Sequence, residues 1–150
     1  MPERAYWGVI VPYAAMGASL VSREGSTTPR FRIEPSMELL HGRGRWAYGV
    51  RVGGVFDILE ASSLPVMLLG HYSLTERLSL HAGGGYIPIA GRLSERSNVG
   101  ARGLVGFQWA LGRVRSETYW VLSGEADTQW IDFDRSYRAT GFTVHFGPFF

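Results

Sequence analysis

From Thr140 to the last residue, every second position is uncharged and mostly apolar: Thr140, Phe142, Val144, Phe146, Pro148 and Phe150. The row between, Ala139, Gly141, Thr143, His145 and Gly147, is small or polar. A period of two marks a strand with unlike faces. The same rule runs along the whole chain. From Arg30 to Leu40, Phe31, Ile33, Pro35, Met37 and Leu39 oppose Arg32, Glu34, Ser36 and Glu38. From Arg45 to Leu59, Trp46, Tyr48, Val50, Val52, Phe56 and Ile58 oppose Gly49, Arg51, Gly53 and Asp57. Three further strands repeat the contrast: Leu64, Val66 and Leu68 against Met67, Leu69 and His71; Leu78, Leu80 and Ala82 against Ser79, His81 and Gly83; Val99, Val105 and Phe107 against Gly100, Arg102 and Gly106. A seventh sets Thr118, Trp120, Leu122 and Ala126 against Glu117, Tyr119, Ser123, Glu125 and Asp127. The first strand, Tyr6 to Leu20, has faces of low contrast, and Trp7, Val9, Val11 and Tyr13 are expected outward.

Outside that first strand, no charge falls on the apolar row. On a lipid-facing surface each would cost about 2–4 kcal/mol near the midplane, so its absence is what lipid selects. The polar row carries Gly49, Gly53, Gly83, Gly85, Gly100 and Gly106 beside Arg51, His81 and Arg102. Small residues next to long ones suit a narrow interior. A soluble barrel would invert the arrangement, with an apolar inside and a wet outside. The expected fold is therefore all-β: an eight-stranded antiparallel up-and-down transmembrane β-barrel with a polar, plugged interior. It is expected to form a single domain over residues 1–150, since that length suits about eight strands of ~9–11 residues each. Tight links are expected at Gly42-Arg43-Gly44, Leu74-Thr75-Glu76 and Leu111-Gly112-Arg113. Longer ones are expected at Ser22 to Pro29, Ala90 to Ser97 and Thr128 to Ser136, and a short one at Glu60 to Ser63. This places both termini at the periplasmic end.

Composition narrows the chemistry. No apolar run approaches the ~18 residues of a membrane-spanning helix, and without one only a closed barrel pairs every backbone group in lipid. Cysteine is absent, which removes disulfides and thiolate metal sites. All 15 basic residues are Arg, and the net charge of +2 gives no argument for nucleic acid. Met1-Pro2-Glu3-Arg4 does not resemble a secretory leader, so the chain is expected to be what remains after a signal peptide is removed.

In these strands and turns, with the segment from Leu74 to Tyr86 as the clearest case, the chain resembles the small outer-membrane barrels of the OmpA membrane-domain and OmpX class. The final Phe150, preceded by apolar residues at alternate positions, is similar to the signal read by the outer-membrane assembly machinery; Pro148 stands where an aromatic residue is usual. The resemblance implies the outer membrane of a Gram-negative bacterium, with lipid and lipopolysaccharide around the barrel. Another envelope protein is a further possible partner. Small barrels of this class include adhesins, structural anchors and lipid-modifying enzymes, and because eight strands leave an interior just wide enough for the Arg, Glu and His side chains of this chain, a structural, adhesive or assembly-partner role without an open pore is expected.

The inward ionisable residues Arg32, Glu34, Glu38, Arg51, His71, His81, Arg102, Glu117 and His145 are expected to form a lumen network, because buried charges must be paired. Three imidazoles and a carboxylate could gather around a metal, but strand tilt undermines equal-height arguments, and neither metal nor cofactor is assigned. His71-Tyr72-Ser73 resembles the His-x-Ser core of outer-membrane lipid A deacylases, which would make the chain a lipid-modifying hydrolase with Ser73 as nucleophile and His71 as base. Leu74 follows where that family has Asn. No catalytic residue is assigned. In the last long loop, Trp130, Asp132, Phe133 and Asp134 are candidates for partner contact.

Overall fold

The computed structural model describes residues 6–10, 14–23, 25–57, 61–92, 98–113, 119–131 and 137–150. Among them, 11 antiparallel strands form one closed sheet. Three pairs of short strands each make one stave of the barrel. They are β1 (Tyr6–Ile10) with β2 (Ala14–Arg23), β3 (Ser26–Ile33) with β4 (Ser36–Arg43), and β5 (Trp46–Gly53) with β6 (Val55–Asp57). The other staves are the longer strands β7 (Ala61–Ser73), β8 (Leu78–Arg92), β9 (Asn98–Arg113), β10 (Tyr119–Ile131) and β11 (Tyr137–Phe149). The ring of eight staves closes where β2 pairs with β11, from Arg138↔Ser22 to Phe146↔Ala14, and again at Ile10↔Phe149.

Prolines explain most of the breaks. Pro35 has no N–H to donate, and the second stave is interrupted at Glu34-Pro35, with Glu34 N donating to Ala15 O at 3.0 Å and Gly54 N to Pro35 O at 2.9 Å. Register shifts fall at Leu64/Val66, around Pro65, and at Ile87/Ala90, around Pro88.

The alternation places the side chains as expected. Phe31, Met37, Val50, Leu68, Val105 and Phe142 are exposed on the outer face, while Arg32, Glu38, Arg51, His81 and Arg102 are buried within. The first stave is the exception. Trp7 faces outward at 69% exposure, but after residues 11–13 the even positions Met16 and Leu20 are the exposed ones and Ala15, Ser19 and Val21 are buried. The outward parity therefore switches inside this stave, which is why its sequence showed low contrast. Val11 and Tyr13 lie outside the described residues.

The links also differ from expectation. Ser22, Arg23 and Ser26 to Pro29 are strand, with Arg23 paired to Ser26 and Gly25 at φ 81°, a left-handed value that suits glycine. The Ser22 and Thr27 hydroxyls lie 3.1 Å apart across this hairpin, so polar β-branched and hydroxyl residues extend the ladder instead of ending it. Similarly, β8 runs to Arg92 and β10 to Ile131, shortening both other loops, and Leu111-Gly112-Arg113 is the end of β9 rather than a turn. The link expected at Gly42-Arg43-Gly44 is tight but lies at Gly44-Arg45, since Gly42 and Arg43 belong to β4, and the one expected at Leu74-Thr75-Glu76 is tight and extends to Arg77. In the second, Thr75 Oγ1 accepts from Arg77 N and Leu78 N at 3.2 and 3.0 Å. Phe150 bonds Val9 at the same end of the barrel as these turns, which is called the turn end below.

Candidate functional site: the charged lumen

The inward row of each stave projects into a space about two side chains wide, where long ionisable groups from opposite walls meet. They form two clusters. Nearer the turn end, Arg51 on β5 donates through Nη2 to Glu38 Oε2 of the neighbouring β4 at 2.9 Å, and through Nη1 across the lumen to Glu125 Oε2 on β10 at 2.6 Å. His71 on β7 reaches Glu38 Oε1 at 2.5 Å, and His81 on β8 reaches Glu125 Oε1 at 2.8 Å. His145 on β11 lies 3.3 Å from Glu125 Oε2, and the His71 and His81 ring centroids are 5.2 Å apart.

Farther from the turn end, Asp127 joins two guanidinium groups: Arg32 at 2.5 Å and Arg102 at 2.8 Å. Arg102 also donates to Glu34 Oε1, whose second oxygen accepts from Thr143 Oγ1 at 3.3 Å. Beyond this cluster the interior becomes apolar, with Val21, Ile87, Ala90, Ile131 and Ala139 packed together, and Ser63 donating to Gln129 Oε1 at 3.0 Å beside them. The space bounded by Glu34, Arg51, Met67 and Arg102 is too small for a water.

Eight of the nine expected network residues are thus buried and face one another; Glu117 lies outside the described residues. The expected single network divides into two clusters. Arg51 pairs with Glu38 and Glu125, and Arg102 takes Glu34. The carboxylates that join staves across the lumen, Glu125 and Asp127, lie on the inward row of the seventh strand but outside the expected network. A charge count would have pointed to them: Arg32, Arg51 and Arg102 need more carboxylates than Glu34 and Glu38 supply.

The described residues whose ligand atoms lie close enough to hold a cation are Glu34, Glu125 and His145, within 4.8 Å of one another, and not the three imidazoles. Both carboxylates are already neutralised by guanidinium groups, which a dication would have to displace. His71 and Ser73 share a face at the turn end. Among the described residues, His71 Nε2 is committed to Glu38, and no hydrogen bond joins Ser73 to His71. Of the loop candidates, Trp130 is half exposed and the Arg138 guanidinium sits 6.0 Å from its ring centroid; Asp132, Phe133 and Asp134 lie outside the described residues.

No protein-family model and no curated protein matches the sequence. Solved structures do match. Neisserial surface protein A aligns with a TM-score of 0.60 over 95% of this chain and 98% of its own, at 10% identity. Ail, the attachment invasion locus protein of Yersinia pestis, aligns at 0.53 over 96% and 99%, at 12% identity, in a complex with the heparin analogue sucrose octasulfate. The fold is that of the small outer-membrane β-barrels. In an outer-membrane barrel, aromatic rings gather at the levels of the lipid headgroups. Toward the turn end this barrel exposes Trp7, Trp46, Trp109 and Phe150, with Trp46 and Tyr72 at 4.8 Å and Trp120 stacked on Phe146 at 4.8 Å. Trp130 belongs to the opposite rim, and the outward charges Arg43 and Arg138 sit at strand ends, away from the apolar band.

Proposed function

We propose that the chain is an integral outer-membrane protein of a Gram-negative bacterium whose lumen is closed by its own charges, serving as a structural, adhesive or assembly-partner barrel rather than as a pore. The observation that carries this reading is Arg51, which spans the lumen from Glu38 to Glu125, with Arg102 bridging Glu34 and Asp127 in the next layer. Eight staves leave an interior only wide enough for side chains, and ions crossing it would have to break paired buried charges. Lipid and lipopolysaccharide are the expected surroundings of the apolar face. The assembly machinery is the expected partner of the last strand, and another envelope protein the expected partner of the rim around Trp130 and Arg138. Nothing in the charge distribution favours nucleic acid.

In planar bilayers the purified protein should give no stable steps of porin size, while Arg51→Ala combined with Glu125→Ala, which removes the crossing pair, should raise ion leak. Porin-sized steps in the unaltered protein would overturn the closed-lumen reading.

A further inference from the structure

Between the Arg51–Glu125 cluster and the turn end the lumen widens into a cavity of about 730 Å³, within the range of small-molecule sites. Its two walls differ in chemistry. On one side Ile10, Leu40 and Ala47 form an apolar cluster with Phe149 packed against it. On the other, Ser73, Ser79 and Gln108 line the space. Gln108 is 9% exposed, and among the described residues its amide makes no hydrogen bond. The floor is His71, held by Glu38, so the cavity has no unpaired charge at its inner end. Glu76 and Arg77, both exposed, stand at the rim.

These features set opposite demands. The apolar wall gains by losing contact with water, and the Gln108 amide, with no partner among the described residues, offers its hydrogen-bonding groups to whatever enters the cavity. One molecule with a hydrocarbon part and an uncharged polar head meets both. An ion at the inner end would find Glu38 and His71 already paired to each other, with the charges of Glu76 and Arg77 held at the exposed rim, and would lose its hydration at a large cost. We propose that this cavity binds a small uncharged amphiphile admitted from the turn end. Its hydrocarbon lies on Ile10, Leu40, Ala47 and Phe149, and its amide or hydroxyl bonds Gln108 and Ser79. The site is separate from the question of conduction, because it lies on one side of the ion clusters.

The test is NMR of the labelled protein in lipid nanodiscs, titrated with hexanamide as a neutral, water-soluble probe and with hexanoate for comparison. Binding should shift the Gln108 side-chain amide and the Leu40 and Ala47 methyl signals saturably. Gln129, beyond the ion clusters, should stay unmoved. Gln108→Leu should weaken hexanamide binding about fivefold, the effect of one neutral hydrogen bond. Ala110→Phe, which places a ring in the cavity from another lining position, should abolish it. Hexanoate should bind at least an order of magnitude more weakly than hexanamide. Non-saturating shifts, shifts confined to outward residues such as Val50, or unaltered binding in Ala110→Phe would overturn the proposal. Hexanoate binding as tightly as hexanamide would overturn the neutral-ligand assignment.

Discussion

Arg51 and Glu125, 74 positions apart in the chain, meet across the barrel with Nη1 2.6 Å from Oε2, both side chains almost wholly buried. Each also has partners on its own side, Glu38 for Arg51 and His81 and His145 for Glu125, so the pair links staves on opposite walls. Glu125→Ala leaves the buried Arg51 guanidinium with Glu38 alone and takes away the hydrogen-bond partner of His81 and the neighbouring charge of His145. The expected loss is about 3–5 kcal/mol, read by urea unfolding in lipid vesicles or by the heat-modifiable gel shift. Unaltered stability would mean that water already solvates these charges.

Asp127 holds Arg32 and Arg102 together, so their effects should not add. Once Asp127→Ala is in place, Arg102→Ala should cost less than it does in the unaltered protein, with a coupling energy of about 1–3 kcal/mol in a double-mutant cycle. Additive losses would show that the two side chains are stabilised independently.

Leu68 is 69% exposed at the middle of β7 on the outer face. Leu68→Arg should cost about 2–4 kcal/mol in lipid, whereas Leu68→Ala should cost much less. A spin label at Val105 should be reached by oxygen, and one at Gln108, on the opposite face of β9, by a polar relaxant. The reverse pattern would place the register one residue out, since a slip exchanges the faces.

Two glycines separate the faces in another way. A Cβ at Gly141 would stand 2.7 Å from Arg32 Nη1 and 2.8 Å from Ala18 O, so glycine there makes room for the cluster around Asp127. At Gly84, on the outer face, the nearest atom would be Arg102 O at 3.5 Å. Gly141→Val is expected to destabilise by about 1–3 kcal/mol, while Gly84→Ala should be neutral or slightly stabilising. Equal effects in thermal unfolding would argue against the lumen packing described for Gly141.

The sequence alone determined which face of each strand meets which medium, because that assignment needs only the two-residue alternation of a pleated strand and the cost of a charge in lipid. It placed Arg32, Glu38, Arg51, His81 and Arg102 inside, and Phe31, Val50 and Val105 outside, before any pairing was known. It failed where the alternation itself breaks, as in the first stave, whose outward parity switches between Val9 and Met16. Strand ends were also hidden, since Ser26, Thr27 and Thr28 have the composition of a loop and become strand only because β2 offers them partners. Only the tertiary structure decided which charges meet. Strand tilt and register bring Glu125 and Asp127 to the level of Arg51 and Arg102, and these are set jointly by all the staves when the barrel closes. An alternating pattern carries no information about height along the barrel axis, so the ion pairs and the cavity beneath them could not be read from it.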